Sequence, residues 1–176
     1  MKQEEQLEET SKSSRQIKLK ASHFVRLFFG EKMRIVIQRS GKSNVLVDGS
    51  EVGVIKSGLV LLVCIEKSDD SETIKKAANK ILSLRIFEDQ NGKMNKSITE
   101  VNGEILAISQ FTLSWKGLKG NRPSFDNSMN PEKAIDLFNE FTEELRNSVF
   151  VSTGSFGASM DVKIQNLGPV TFCLDF

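Results

Sequence analysis

Residues 103–113, GEILAISQFTL, hold four apolar side chains (Ile105, Leu106, Ala107, Ile108) that give way within one residue to Ser109, Gln110, Phe111 and Thr112. The apolar part does not alternate, which is the pattern of a strand buried on both faces. Such a strand ending in hydroxyl, amide and hydroxyl delivers polar groups to the edge of a core. The same pattern fits a strand that simply emerges into solvent, so alone it does not name a site. Residues 58–65, GLVLLVCI, form a second continuous apolar run of strand length and predict a central strand.

Around these two runs the chain reads as short strands with two helices between them. Residues 33–40 alternate, with Ile35 and Ile37 on one face and Arg39 at its end. Residues 44–47 and 51–55 flank Asp48-Gly49, a hairpin signature. The run Ser68-Asp69-Asp70-Ser71 offers N-caps for a helix to about Leu84, with Ile74, Ala77, Ala78 and Ile81 at helical spacing. Asp89-Gln90-Asn91-Gly92 predicts another turn. A polar loop over 114–130 is long for a small domain, and such loops tend to be functional. Asn130 and Pro131 then start a helix to about Asn147 with a buried stripe of Ala134, Phe138, Phe141 and Leu145. Strands near 149–152, 158–165 and 170–175 close the chain, with Gly168-Pro169 as a turn between the last two. The expected class is α+β on antiparallel sheet.

Charge and residue inventory exclude more than they assign. Residues 33–176 carry 17 basic and 18 acidic side chains, which is no groove for long nucleic acid. One local basic cluster, Lys116, Lys119 and Arg122, is a candidate phosphate contact or an ordinary solvated loop. The single histidine, His23, precedes residue 33, so a histidine-based triad within 33–176 is impossible. Neither Cys64 nor Cys173 sits at metal-ligand spacing, and both read as reduced. No phosphate-cradling or dinucleotide fingerprint occurs, so no metal and no cofactor are expected. No apolar stretch is long enough to span a membrane. Residues 1–32 open with glutamates and read as a disordered or weakly helical extension, residues 24–29 being a segment that could dock.

SQFTL together with NLGPVT at 166–171 resembles the D-aminoacyl-tRNA deacylase family, chiral proofreading hydrolases of translation. MRIVIQR at 33–39, RIFEDQNGKMN at 85–95, RPSF at 122–125 and TGSFGASM at 153–160 agree, so the resemblance covers 33–176. It implies a barrel-like sheet assembled as a cytoplasmic homodimer with active sites at the subunit interface. The implied substrate is the 3′ end of D-aminoacyl-tRNA, and by extension glycine mischarged on tRNA-Ala. An aminoacyl ester is already activated toward water, which suits a chain with no acid–base machinery in its domain.

The resemblance carries residue roles with it. Ser109, Gln110, Phe111 and Thr112 are the expected catalytic segment, the backbone N–H groups of Phe111 and Thr112 holding the developing oxyanion. Thr112 Oγ is the one nearby hydroxyl that could attack, but no general base is evident, so Thr112 and Gln110 are expected to orient the loop or a water. In the family the Gly-Pro element is cis and enters the partner's pocket; that implies for Gly168 and Pro169 a backbone wall excluding an L side chain. Arg39 matches the arginine bracing that element, and Phe156 and Met160 match positions lining the terminal-adenosine pocket. Ser155 and Ser159 depart from the family pattern, which expects an arginine and an acid there. The alternatives are a paralogous deacylase of mischarged L-aminoacyl-tRNA, whose Gly-Pro is trans, and a non-catalytic nucleic-acid-binding module.

Overall fold

The computed structural model describes residues 33–117 and 120–176. The 1–32 extension, with His23 and the expected docking segment, and Lys119 of the basic cluster lie outside the described residues. In chain order come β1 (Arg34–Ser40), β2 (Ser43–Val47), β3 (Ser50–Ile55), β4 (Gly58–Cys64), α1 (Ser71–Ser83), β5 (Phe87–Glu88) and β6 (Met94–Lys96). They are followed by β7 (Glu104–Ser109), a 3₁₀ turn (Phe111–Ser114), α2 (Pro131–Arg146), β8 (Val151–Thr153), β9 (Asp161–Lys163) and β10 (Asn166–Asp175). The chain is thus α+β.

The five-stranded sheet runs β10-β1-β4-β7-β8, and a three-stranded sheet runs β3-β2-β9. The sheets are antiparallel-rich, as expected, but the five-stranded one is mixed, since β4 pairs with β7 in parallel, as does β7 with β8. Parallel neighbours need a long crossover, and here α1 and the β5–β6 hairpin lie between β4 and β7 in the chain. The sheet is also open, its hydrogen-bonded order ending at β10 and β8, rather than closed as a barrel.

The continuous apolar runs are explained by cover on both sides. Leu59, Leu61 and Val63 of β4, with Ile105 and Ala107 of β7, join one core with α1 and α2. Val60, Leu106 and Ile108 point the other way and meet Val45 and Ile55 of the β2–β3 hairpin. Helical spacing puts Ile74, Ala77 and Ile81 of α1 and Phe138, Phe141 and Leu145 of α2 into the first core. Burying a side chain such as Phe141, 0% exposed, contributes roughly 3 kcal/mol each, and this clamps the central strands in place. Gly58 begins β4 with φ 147°, and a Cβ there would fall 1.9 Å from Glu104 O. Only glycine lets β4 and β7 start side by side.

Local signals set the helix ends. Asp70 caps α1 by accepting from Thr73 N at 2.9 Å, and Asn130 caps α2 by accepting from Lys133 N at 3.0 Å, with Pro131 in the first turn. The Gly168-Pro169 turn is relocated. Asp161–Lys163 pairs with β2 in the other sheet, and Asn166–Asp175 is a single strand on β1 that contains the Gly-Pro dipeptide.

Candidate active site

β7 carries Ser109 to the end of the central sheet, where Gln110 N still donates to Val63 O at 2.7 Å. Gln110 then breaks from extended geometry (φ −140°, ψ 73°) and the chain winds into the 3₁₀ turn. That turn bonds the N–H of Leu113 to Gln110 O and of Trp115 to Thr112 O, both at 3.2 Å. The N–H groups of Phe111 and Thr112 precede its first internal bond, so the turn leaves them to other partners. Gln110 Nε2 donates to Thr112 Oγ1 at 2.6 Å, which fixes the hydroxyl that sequence reasoning had singled out.

Beside the turn opens a cleft of about 620 Å³ lined by Ser109, Gln110 and Phe111 on one side and Phe156 and Met160 on the other. Ile108, Phe125 and Met129 add apolar wall. The structure therefore brings together five of the sequence-predicted residues. Thr112 lies on the turn but is not among the cleft-lining residues. Phe156 rests against Phe138 of α2, ring centroids 6.1 Å apart, and Met160 packs on the second core, so both are core at the back and wall at the front.

Arg39, Gly168 and Pro169 stand elsewhere. Gln38 pairs with Thr171 but Ser40 with Asn166, so Arg39 alone faces residues 167–170, which bulge out of β10. Asn166 closes the base of the bulge: its Oδ1 accepts from Val170 N at 3.1 Å and its Nδ2 donates to Thr171 Oγ1 at 2.8 Å. The Gly168–Pro169 peptide is cis and Gly168 has φ 117°. A Cβ at Gly168 would lie 3.2 Å from Arg39 Nη2. The guanidinium reaches that position by donating to Ile86 O at 3.0 Å and Glu88 Oε1 at 3.3 Å, so the segment around β5 holds Arg39 beside the bulge. The β5–β6 hairpin is itself tied by Asp89, whose Oδ1 accepts from the N–H groups of Asn91 and Lys93 at 2.8 and 3.1 Å. Those bonds hold its carboxyl below the usual carboxylate range.

In register, Ser109 aligns with Val63 and so with Ile35, whereas Arg39 lies further along β1, two strands from β7, and the bulge it faces is on β10, three strands from β7. At the standard spacings that separation is roughly 13 Å along the strands and 14 Å across them. One chain does not bring its own Gly-Pro bulge to its own cleft.

Several contributors were assigned no place at the cleft by the sequence. Phe125, in the RPSF motif that agrees with the family pattern, meets Phe111 edge to face at 5.0 Å. Asp69, expected as a cap candidate beside Asp70, is buried and accepts from Met33 N and Glu66 N, both at 2.7 Å. Beneath the 3₁₀ turn, burial and then the charge of Glu66 push the Cys64 thiol up to about 12, so it stays protonated and its Sγ lies 3.6 Å from Phe111 O as a donor. Burial, then Asp69, pushes Glu66 up to about 7. Among the described residues no group of His, Cys, Asp and Glu is arranged to hold a metal ion, and no helix is long and apolar enough to cross a membrane. Lys116 and Arg122 are exposed on the loop that also supplies Phe125 to the cleft.

The sequence model of the D-Tyr-tRNA(Tyr) deacylase family matches residues 36–175. A protein of Lactobacillus gasseri named D-aminoacyl-tRNA deacylase is 52% identical over 144 residues, 81% of this chain and 99% of that one. One of the same name from Aquifex aeolicus is 49% identical over 144 residues, 81% of this chain and 97% of its own. Among solved structures, the c-Myc DNA unwinding element binding protein is similar with TM-score 0.77 at 41% identity, covering 80% of this chain and 97% of that one. A probable eukaryotic D-amino acid tRNA deacylase shares the fold, with TM-score 0.71 at 18% identity over 82% of this chain and 99% of its own.

Proposed function

The chain belongs to the D-Tyr-tRNA(Tyr) deacylase family, and from that premise we propose that it hydrolyses the ester of D-aminoacyl-tRNA, freeing the amino acid and the tRNA as a chiral proofreading step. The observation that carries the reading is the 3₁₀ turn at the head of a buried strand, opening on the apolar cleft it shares with Phe156 and Met160. In this reading the terminal adenosine enters between Phe156 and Met160. The ester carbonyl then lies against the N–H groups of Phe111 and Thr112.

Water adds to the carbonyl carbon, and the carbonyl oxygen becomes an oxyanion held by those two N–H groups. Each such donor is commonly worth about 3 kcal/mol in the transition state. Collapse breaks the bond to the ribose 3′ oxygen, which leaves as a hydroxyl with the proton given up by the attacking water. In this reading the ribose 2′ hydroxyl relays that proton. Thr112, whose hydroxyl accepts from Gln110 Nε2 and has no evident general base, orients the turn and is not the nucleophile.

Chirality is assigned to the Gly168–Pro169 bulge of a second copy. Its distance from the cleft of its own chain, and the outer edge of β10, which pairs with no strand among the described residues and exposes Leu167 and Phe172, support a homodimer in which each copy walls the other's cleft. Backbone carbonyls there would accept from the α-ammonium and leave no room for an L side chain, so glycine would pass, including glycine mischarged on tRNA-Ala. The exposed Lys116 and Arg122 suit phosphates of the tRNA end, and the setting would be the cytoplasm.

The test is deacylation of matched D-Tyr-tRNA, L-Tyr-tRNA and Gly-tRNA by the purified full chain. Loss of the D and glycyl esters with the L ester intact supports the reading. Hydrolysis of the L ester favours the paralogous deacylase, and hydrolysis of none favours a binding role. Thr112→Ala is expected to keep turnover within about threefold, whereas total loss would make the hydroxyl the nucleophile.

A further inference from the structure

The 3₁₀ turn is held from below by a side chain that the proposed chemistry does not use. Arg34, the first residue of β1, donates through Nη1 to Leu113 O at 3.2 Å. Its other two donors form a fork on Asp175 near the C-terminus, Nε to Oδ1 at 2.6 Å and Nη2 to Oδ2 at 3.1 Å. The geometry points to Arg34, oriented by Asp175, as a positioning residue that aims the oxyanion-holding amides of the turn. The inference rests on the deacylase reading for its catalytic consequence, and on the hydrogen bonds alone for the bracing itself.

In a helical turn carbonyls and N–H groups point in opposite directions along the axis. Whatever fixes the carbonyls therefore aims the leading amides. Two carbonyls of this turn are engaged from the side of β1 and β4: Leu113 O by the guanidinium and Phe111 O by the Cys64 thiol, 3.6 Å away. A thiol is a weak donor, so the charge-assisted bond from Arg34 is the stronger hold. A turn of four residues, Phe111–Ser114, has too few internal bonds to stay aligned alone. The fork on Asp175 matters because a long side chain with one contact would have many rotamers, whereas a planar group held at two atoms presents its third donor in a fixed direction.

The pair is partly exposed, 27% for Arg34 and 45% for Asp175, so its share of global stability is small. That separates positioning from folding. Arg34→Ala is expected to lower kcat about tenfold while KM changes less than about twofold, because the lost alignment matters once charge develops on the carbonyl oxygen. Arg34→Lys, which keeps one donor, should recover part of the loss. Asp175→Asn should cost about threefold, and the double variant should be no worse than Arg34→Ala, since Asp175 acts through Arg34. Additive losses, or a loss confined to KM, would overturn the assignment.

A second readout does not need activity. Amide hydrogen exchange at Leu113 and Trp115, the bonded N–H groups of the turn, should quicken about tenfold in Arg34→Ala, with Ala77 and Ile81 of α1 unchanged. Unchanged exchange at Leu113 and Trp115 overturns the brace whether or not the protein hydrolyses D-aminoacyl-tRNA. Quickened exchange in a protein that hydrolyses no aminoacyl ester keeps the brace and discards the deacylase reading.

Discussion

Glu66→Gln should make the protein more stable relative to the unsubstituted chain as the pH rises. Glu66 is 2% exposed and its Oε2 has no hydrogen-bond partner among the described residues. Asp69 is bonded to its backbone N–H and adds a like charge; Arg34 offsets part of this, Asp175 adds to it, and the Cys64 thiol is neutral. Burial is the largest cause, and the carboxyl is raised from 4.5 to about 7. The native state therefore keeps a proton that the unfolded chain releases between those values. Stability from this group is fully present below pH 4.5 and falls as pH rises to about 7, beyond which it is flat. At 1.36 kcal/mol per pH unit the fall is about 3 kcal/mol. Glutamine fills the same space and does not titrate. Urea unfolding of both proteins at intervals from about pH 5 to 8.5 gives the comparison, urea being uncharged and leaving ionic strength fixed. The variant-minus-parent difference should climb by about 2–3 kcal/mol and level off above about pH 7. Asp89 and Glu100 are held below their usual values by their own hydrogen bonds, are unchanged by the substitution, and cancel in the difference. Parallel curves would refute the argument, because a buried carboxyl without a partner at Oε2 cannot ionise without cost.

Two further substitutions probe the two ends of the sheet. Gly168→Ala puts a Cβ at φ 117°, 2.8 Å from Val170 Cγ2 and 3.2 Å from Arg39 Nη2. About 1–2 kcal/mol of local strain should shift the bulge, seen as a fall of about tenfold in the D-over-L ratio of kcat/KM; an unchanged ratio would detach the bulge from chirality. Phe156→Ala removes a cleft wall and the contact with Phe138, 6.1 Å between centroids. KM for D-Tyr-tRNA should rise about tenfold with kcat nearly held, as for loss of a stacking platform, and chemical unfolding should show a loss of about 2 kcal/mol, half-burial tempering the usual figure.

What could be read from the sequence was whatever depends on neighbours in the chain. Asn130 and Pro131 announce the start of α2 because capping is settled within one turn. The apolar runs of β4 and β7 announce burial on both faces because each side chain carries its own hydrophobicity. Pairing direction depends on a crossover, so the parallel partnership of Leu59 with Ile105 left no local mark and the hairpin-rich flanks suggested antiparallel sheet. The turn at Gly168-Pro169 was placed between two strands because Gly-Pro ordinarily ends one. The bonds from Val170 N to Asn166 Oδ1 and from Asn166 Nδ2 to Thr171 Oγ1 instead carry a single strand across the bulge. The candidate residues at 109–112 stand out in the sequence by their abrupt polarity and a family likeness. Arg34 and Glu66 were not, since only folding brings Arg34 to Leu113 and buries Glu66 beside Asp69.

The placement of the motif RIFEDQNGKMN shows how the proposed division of labour fits the fold. Nothing in it touches the cleft, and composition alone makes it a surface hairpin. Yet Ile86 O and Glu88 fix the Arg39 guanidinium against Gly168, and Asp89 ties the turn that holds Ile86 and Glu88 in register. A wall made of backbone cannot adjust its shape by rotamers, so its accuracy must come from bracing, and the hairpin supplies it. At the other end, amides do the proposed chemistry, and they too have no rotamers to choose. Their bracing comes from Arg34 and Cys64. Both proposed functional elements thus use main chain where another hydrolase would use titratable side chains, and the charged residues stand one layer behind. That arrangement accounts for a proposed ester hydrolase whose described residues include no histidine.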